Sequence, residues 1–286
     1  MNFGAGIFEL KDDSYRFDLS TFPNKLTKHN LIFLGLPQWR EPRWKGSFYS
    51  KDCTSQNFLN EYSQRLNCVE VSSTFYSPVS IETIKSWKQQ VGQGFRFLPK
   101  WPKLITHDQH LKYCDDEIKN FCNILEVFDE NLGTSLLQLP PKFSVEFKND
   151  LFYFLQKLPN NFKIAIEFRH SSWFENNRLY KKLENYFLKE NISTVISDTP
   201  NRRDLCHYSF TGSNQVIRFL SDEHDSTDQK RLEIWKDFLS RNELENSYFI
   251  LHRPDNINTA ELIKYFSYET YSQIQVLSQN KQLDLI

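Results

Sequence analysis

The segment IAIEFRHSSWF, residues 164–174, places a carboxylate, a guanidinium and an imidazole within four residues, at the end of an apolar run. Successive side chains of a strand point to opposite faces, so Ala165, Glu167 and Arg169 share one face, and His170 follows on the other. A neighbouring guanidinium keeps a carboxylate ionised, which suits a general base or a ligand rather than a general acid. The pattern therefore predicts a strand that leaves the core and enters a site.

Polar side chains also end most of the other apolar runs in the chain. If these runs are strands of a barrel, their carboxyl ends meet at one mouth, where barrel enzymes build their active sites. The candidate catalytic residues are Glu70, Glu167, His107 and Asp198. The candidate substrate-binding residues are Lys100, Gln138, Arg169, His170, Arg218 and Trp39, and no residue is assigned to a metal.

The leading hypothesis from these residue types is an enzyme that acts on a phosphorylated or other anionic substrate. Lys100, Arg169 and Arg218 would bind the anion, since arginine offers bidentate hydrogen bonds to phosphate and carboxylate. One of the three carboxylates would act as general base and His107 as general acid.

Two alternatives stay open. A divalent metal held by Glu70, Glu167, Asp198 and a histidine would make a phosphoesterase, an endonuclease or a sugar isomerase, although the interspersed lysine and arginine disfavour it. A non-catalytic module that binds a nucleotide or a nucleic-acid end is the second alternative. No cofactor is predicted beyond that metal.

Each candidate also has a structural interpretation. Glu167 and Arg169 could form a buried ion pair, and Asp198 could close a turn before Pro200. Gln138 could hydrogen-bond to the backbone of the loop that follows it, and Trp39 could pack beneath a loop. His170, on the opposite parity, is more typical of a packing residue.

Eight short apolar runs alternate with stretches of helical period, which is the pattern of successive βα units. The runs cover residues 31–35, 68–72, 95–99, 135–139, 163–168, 194–198, 215–220 and 248–252. Helices are predicted at 55–66 and 229–242, whereas the connection from 198 to 215 is too short for a full helix. This count favours an α/β TIM-type (β/α) barrel of about eight mostly parallel strands over an open doubly wound sheet.

Length and composition bound these hypotheses. The 286 residues, 39% of them hydrophobic, suit one barrel domain at 31–286 with residues 1–30 as an N-terminal extension packed on it. Thirty-five basic and 36 acidic side chains give a net charge of -1, which does not support nucleic-acid binding. The five cysteines have no zinc-type spacing, and there is no apolar run near 18 residues or leader-like start. These features predict a cytoplasmic protein with reduced thiols and no membrane contact.

Common nucleotide, hydrolase and zinc-protease motifs are absent, since the chain contains no GxGxxG, Walker A, GxSxG or HExxH sequence.

Several stretches together resemble the YecE-like family, also called the domain of unknown function 72 family. They are WKGSFYS (44–50), VEVSSTFYSPVSIETIKSW (69–87), GFRFLPKWPKLITH (94–107), LLQLPPKF (136–143), IEFRHSSW (166–173) and ISDTP (196–200), with Trp39 before them. The resemblance implies a TIM-type barrel and no particular reaction. It implies polar site positions at Glu70, Lys100, His107, Gln138, Glu167, Arg169, His170, Asp198 and Arg218. This chain departs from the family at Ser72, Leu220, Ser221 and residues 251–256, which predicts a changed substrate or a partly lost site.

Overall fold

Eight parallel strands form the centre of the protein in a computed structural model that describes residues 31–160, 162–241 and 245–265. The eight strands are β1 (Leu31–Leu36), β2 (Cys68–Val71), β3 (Arg96–Pro99), β4 (Ser135–Gln138), β5 (Ile164–Glu167), β8 (Ser193–Asp198), β9 (Asn214–Leu220) and β10 (Asn246–His252). A short antiparallel hairpin, β6 (Phe174–Glu175) with β7 (Arg178–Leu179), lies between β5 and β8. Every apolar run predicted to be a strand is confirmed.

The eight-stranded sheet curls until its two ends meet. Its strand order is β3-β2-β1-β10-β9-β8-β5-β4. The end strands β3 and β4 approach each other at a bridge between Lys100 and Leu136, where the Trp101 backbone N–H donates to Leu136 O at 3.0 Å. This contact all but closes the sheet and confirms the predicted TIM-type barrel.

Helices cover the outside of the barrel. They are α1 (Phe58–Ser63), α2 (Ser73–Tyr76), α3 (Ile81–Gln89), α4 (Asp115–Glu126), α5 (Lys148–Gln156), α6 (Lys181–Lys189) and α7 (Asp225–Arg241). The helix predicted at 55–66 is shorter, and the one predicted at 229–242 begins earlier. Only a 3₁₀ turn, Arg203–Leu205, lies between β8 and β9, as the polar connection predicted.

Two separate apolar layers fill the fold. The barrel interior holds one small set of buried side chains: Phe33, Cys68, Leu98, Leu136, Ala165, Val195, Val216, Tyr248 and Ile250. The larger layer lies between the strands and the helices, and includes Ile166, Phe219 and Trp235. Because the strands are buried on both faces, their sequences are continuous apolar runs.

Tyr62 ties α1 to the first two strands. Its buried hydroxyl accepts a hydrogen bond from the Leu36 backbone N–H at 2.8 Å and donates one to Cys68 O at 2.9 Å. Because Tyr62→Phe leaves a buried donor and a buried acceptor unpaired, we expect a loss of about 1–3 kcal/mol in unfolding free energy, measured by urea denaturation. Tyr113→Phe is the matched control, since Tyr113 is 94% exposed. An equal effect of both substitutions would contradict this prediction.

The remaining expectations concern the cysteines, membrane contact and the N-terminal segment. All five cysteines are buried free thiols, as predicted. No helix in the described part of the chain is long and apolar enough to cross a membrane. Residues 1–30 lie outside the described residues, so the predicted extension and the boundary at residue 31 stay predictions.

Candidate functional site

A ring of polar side chains stands directly above the apolar interior layer, at the carboxyl ends of the strands. One comes from each of seven strands or from the residue that follows the strand. The members of this polar ring are Glu70, Lys100, Gln138, Glu167, Ser197, Arg218 and His252. They continue the inward-facing parity of the apolar layer beneath them, so the barrel itself brings them together.

Arg218 lies at the centre of the polar ring and joins its two carboxylates. Its Nε donates to Glu70 Oε2 at 3.0 Å, and its Nη1 donates to Glu167 Oε2 at 2.8 Å. The Glu70 side chain is fully buried, and the Arg218 side chain is 11% exposed. Two negative charges thus share one planar cation in a mostly dry environment, where the bonds are strong.

Further hydrogen bonds fix each carboxylate. Lys100 Nζ lies 2.9 Å from Glu70 Oε1, and the Ser72 hydroxyl donates to the same oxygen at 2.9 Å. Gln138 Nε2 donates to Glu167 Oε2 at 2.7 Å, and the Ser197 hydroxyl donates to Glu167 Oε1 at 3.0 Å. The two carboxylates are therefore held in single positions by donors from several strands.

Both carboxylates are ionised near neutral pH. Burial by itself raises the pKa of Glu70, but the charges of Arg218 and Lys100 outweigh it and hold that pKa well below its ordinary value. Burial likewise raises the pKa of Glu167, but the charges of Arg218, Arg169 and Lys100 outweigh it, so the pKa of Glu167 is also lowered. Each carboxylate can accept a proton or hold a cation, but neither can serve as a proton donor near neutral pH.

These lowered pKa values link the site to acid stability. A carboxyl group with a lower pKa in the folded state stabilises the fold above its unfolded pKa, and this stabilisation is lost as the pH falls through the folded value. We therefore expect the unfolding free energy to fall progressively below about pH 4.5. Urea denaturation at several pH values should show a shallower acid slope for Glu167→Gln. An unchanged slope would mean that Glu167 has the same pKa folded and unfolded.

His252 belongs to the polar ring, although it was not among the predicted site residues. Its Nε2 lies 3.4 Å from Glu70 Oε2, and this buried nitrogen makes no hydrogen bond of good geometry with the described residues. Burial and the charge of Arg218 lower the His252 pKa, so the imidazole is neutral at neutral pH. The signal that could have found it is its position as the polar residue that ends the apolar run at 248–252.

Arg169 and His107 lie at the rim, above the polar ring. Burial and the charge of Arg169 lower the His107 pKa, and the charge of Arg169 also lowers the Glu167 pKa, so the guanidinium is within electrostatic range of both. A neutral His107 is a poor general acid at neutral pH, in contrast to the role expected from the sequence. His107 packs edge-on against Phe75, with ring centroids 5.1 Å apart.

Phe75 adds an aromatic wall that the sequence analysis did not single out. Its ring centroid lies 6.0 Å from Lys100 Nζ, so it contacts the rim and approaches the polar ring.

Asp198 does not join the other candidate carboxylates. It is fully buried between the barrel and α7, where Trp235 Nε1 donates to Oδ2 at 2.7 Å and Arg231 Nη2 lies 2.9 Å from Oδ1. Arg203 makes a further ion pair with it. Its neighbour Ser197 faces the barrel interior, so Asp198 faces outward, and the expectation that it lies at the mouth is corrected.

The remaining predicted residues lie outside the polar ring. His170 contacts the Ser172 hydroxyl at 2.8 Å, which fits the local role that its parity indicated. Trp39 is 6% exposed and packs edge-on against Trp87 at 5.0 Å between ring centroids.

Trp39 also lines a cleft of about 670 Å³ between the loops that follow β1 and β2. This β1–β2 cleft reaches the polar ring at Glu70, and Ser72 also lines it.

The metal set considered from the sequence is not assembled. Asp198 is turned away, and within the described ranges no three histidine, cysteine, aspartate or glutamate side chains are grouped to hold a metal ion. Each ring carboxylate instead contacts a cationic side chain.

Sequence comparison identifies relatives over most of the chain. A family model described as "Protein of unknown function DUF72" matches residues 33–282. UPF0759 protein YecE of Escherichia coli is 28% identical over 252 residues, which are 82% of this chain and 90% of that protein.

Structural comparison agrees on the fold. The crystal structure of a DUF72 family protein from Enterococcus faecalis gives a TM-score of 0.63 at 21% identity and covers 88% of this chain and 99% of the other. A DUF72 family protein from Thermotoga maritima gives a TM-score of 0.59 at 19% identity and covers 82% and 99%.

Proposed function

The chain belongs to the DUF72 family, and since that family is described as being of unknown function, we propose from the site itself that the protein is an enzyme acting on a small anionic substrate at the barrel mouth. One observation carries the proposal: Arg218 is shared by two ionised carboxylates and still has a terminal nitrogen, Nη2, that makes no hydrogen bond with the described residues. The same group that holds the bases can therefore bind an anion.

The charge balance of the mouth supports this function. Lys100, Arg218 and Arg169 carry three positive charges against the two negative charges of Glu70 and Glu167, and the neighbouring imidazoles are neutral. A net charge of about one positive unit in a mostly buried site attracts a phosphate or carboxylate group. Arg169 adds a guanidinium without hydrogen bonds to the described residues, which is free for bidentate contact.

The chemistry that this arrangement favours is proton abstraction by a carboxylate next to a bound anion. Glu70 and Glu167 are the candidate bases because both are ionised. Neutral His107 and His252 can relay a proton or donate a hydrogen bond to developing negative charge.

Anion binding is tested with Arg169→Gln. Because a hydrogen bond to a charged group contributes about 1.5–3 kcal/mol, we expect the dissociation constant for inorganic phosphate to rise about 10- to 100-fold, measured by isothermal titration calorimetry.

Lys163→Gln is the matched control for this substitution. Lys163 immediately precedes β5 and Arg169 follows it, so the two variants remove the same charge at opposite ends of one strand. If Lys163→Gln loses as much affinity as Arg169→Gln, anion binding depends on net charge alone. If the wild-type protein binds no anion, the proposed function is excluded.

A further inference from the structure

The β1–β2 cleft is large enough to hold more than an anionic group. Its volume of about 670 Å³ lies within the range of small-molecule sites, roughly 300–1,000 Å³. Of the two ring carboxylates, Glu70 lines it and Glu167 does not. A ligand bound to the polar ring would therefore extend past Glu70 into this cleft.

The cleft lining combines a larger apolar surface with several neutral hydrogen-bonding groups. These are Gln38, Ser72, Ser73, Ser77, Ser80 and Thr83. Ser80 and Thr83 contact each other, with hydroxyl oxygens 3.2 Å apart, whereas the Ser73 and Ser77 hydroxyls make no hydrogen bond with the described residues. The charged lining residues are Glu70 on the floor and Arg40. Such a lining matches an uncharged group that carries its own hydroxyls.

Aromatic faces accompany these hydroxyls. Tyr76 is 76% exposed, and its ring is held edge-on against Phe75 at 5.0 Å between centroids. Trp39 and Trp87 also line the cleft, but they are only 6% and 5% exposed, so Tyr76 offers the main aromatic face. Aromatic faces pack against the C–H faces of a sugar ring, while surrounding polar groups bind its hydroxyls. A purely apolar group would instead leave these hydroxyls without partners.

We infer that the β1–β2 cleft binds the sugar part of a sugar phosphate or sugar acid whose anionic group lies on the polar ring, an inference that rests on the function proposed above. Glu70 then lies beneath the junction of the two parts.

Calorimetric titration of the wild type and three variants tests this inference. The ligands are glucose 6-phosphate, ribose 5-phosphate, glucuronate, glucose and inorganic phosphate. The variants are Tyr76→Ala in the cleft, Arg169→Gln at the rim, and Tyr113→Ala as the control, since Tyr113 is 94% exposed and does not line the cleft.

At least one sugar anion should bind more tightly than inorganic phosphate. Tyr76→Ala should weaken the binding of that sugar anion about three- to tenfold and leave phosphate binding unchanged, because it removes only an aromatic contact. Arg169→Gln should weaken the binding of both ligands, and Tyr113→Ala should weaken the binding of neither.

The outcomes separate the two proposals. The proposed function stands if phosphate binding depends on Arg169. The sugar inference is nevertheless overturned if no sugar anion binds more tightly than phosphate. It is also overturned if Tyr76→Ala does not selectively weaken the binding of the sugar anion. If none of the anions binds to the wild type, the proposed function fails and the inference fails with it.

Discussion

Arg218→Met should lower the free energy of unfolding by about 3–5 kcal/mol, because it leaves two buried carboxylates without their shared cation. Glu70 is fully buried and the Glu167 side chain is 6% exposed, so water cannot replace the lost contacts. Typical domains unfold at a cost of about 5–15 kcal/mol, so this single change removes a large part of the total. Urea denaturation of the ligand-free protein at neutral pH measures it.

Two further variants show whether charge burial is the cause. Arg202→Met removes an arginine paired with Asp204 at 2.8 Å, but these side chains are 47% and 44% exposed. We expect this exposed pair to contribute about 1 kcal/mol or less. Adding Glu167→Gln to Arg218→Met should recover part of the lost stability, since the charge of Glu167 is then removed and Glu70 still pairs with Lys100. Equal losses for Arg218→Met and Arg202→Met would contradict the structural account.

Glu167→Gln should abolish most turnover while preserving anion binding. Removal of a general base costs about 10²- to 10⁴-fold in rate. The amide fits the site well: its oxygen can accept from Gln138 and Arg218, which both contact Oε2, and its nitrogen can donate to the Ser197 hydroxyl at the Oε1 position. The substitution therefore removes the charge and the basicity while it keeps the local packing.

The measurement is kcat and the dissociation constant for whichever anionic substrate supports turnover by the wild type. A fall in kcat with an unchanged dissociation constant assigns Glu167 to the chemical step. Unchanged turnover would exclude Glu167 as the base and leave Glu70. A wild type that binds the ligand tightly but converts none of the candidate substrates would favour the binding module considered from the sequence.

Glu70→Gln would be a less interpretable variant. Cationic groups face both of its carboxylate oxygens, Lys100 at Oε1 and Arg218 at Oε2. An amide nitrogen would therefore meet a hydrogen-bond donor in either orientation, and lost activity would be mixed with lost stability.

The sequence by itself determined the strand count and much of the mouth. Eight apolar runs with helical connections specify a parallel barrel, because its strands are buried on both faces and need crossover helices. Barrel geometry then requires the strand ends to meet, which predicted the shared location of Glu70, Lys100, Gln138, Glu167 and Arg218.

Only the tertiary structure decided which strand-end residues face inward and how they pair. In a strand that is buried on both faces, no polar alternation marks the inside, so ISD at 196–198 gave no sign that Ser197 joins the ring and Asp198 packs against α7. The central pairing likewise joins Arg218 to Glu70, which are 148 positions apart in the chain. Such a contact exists only after the barrel has closed, because closure and not local sequence fixes which charges become neighbours.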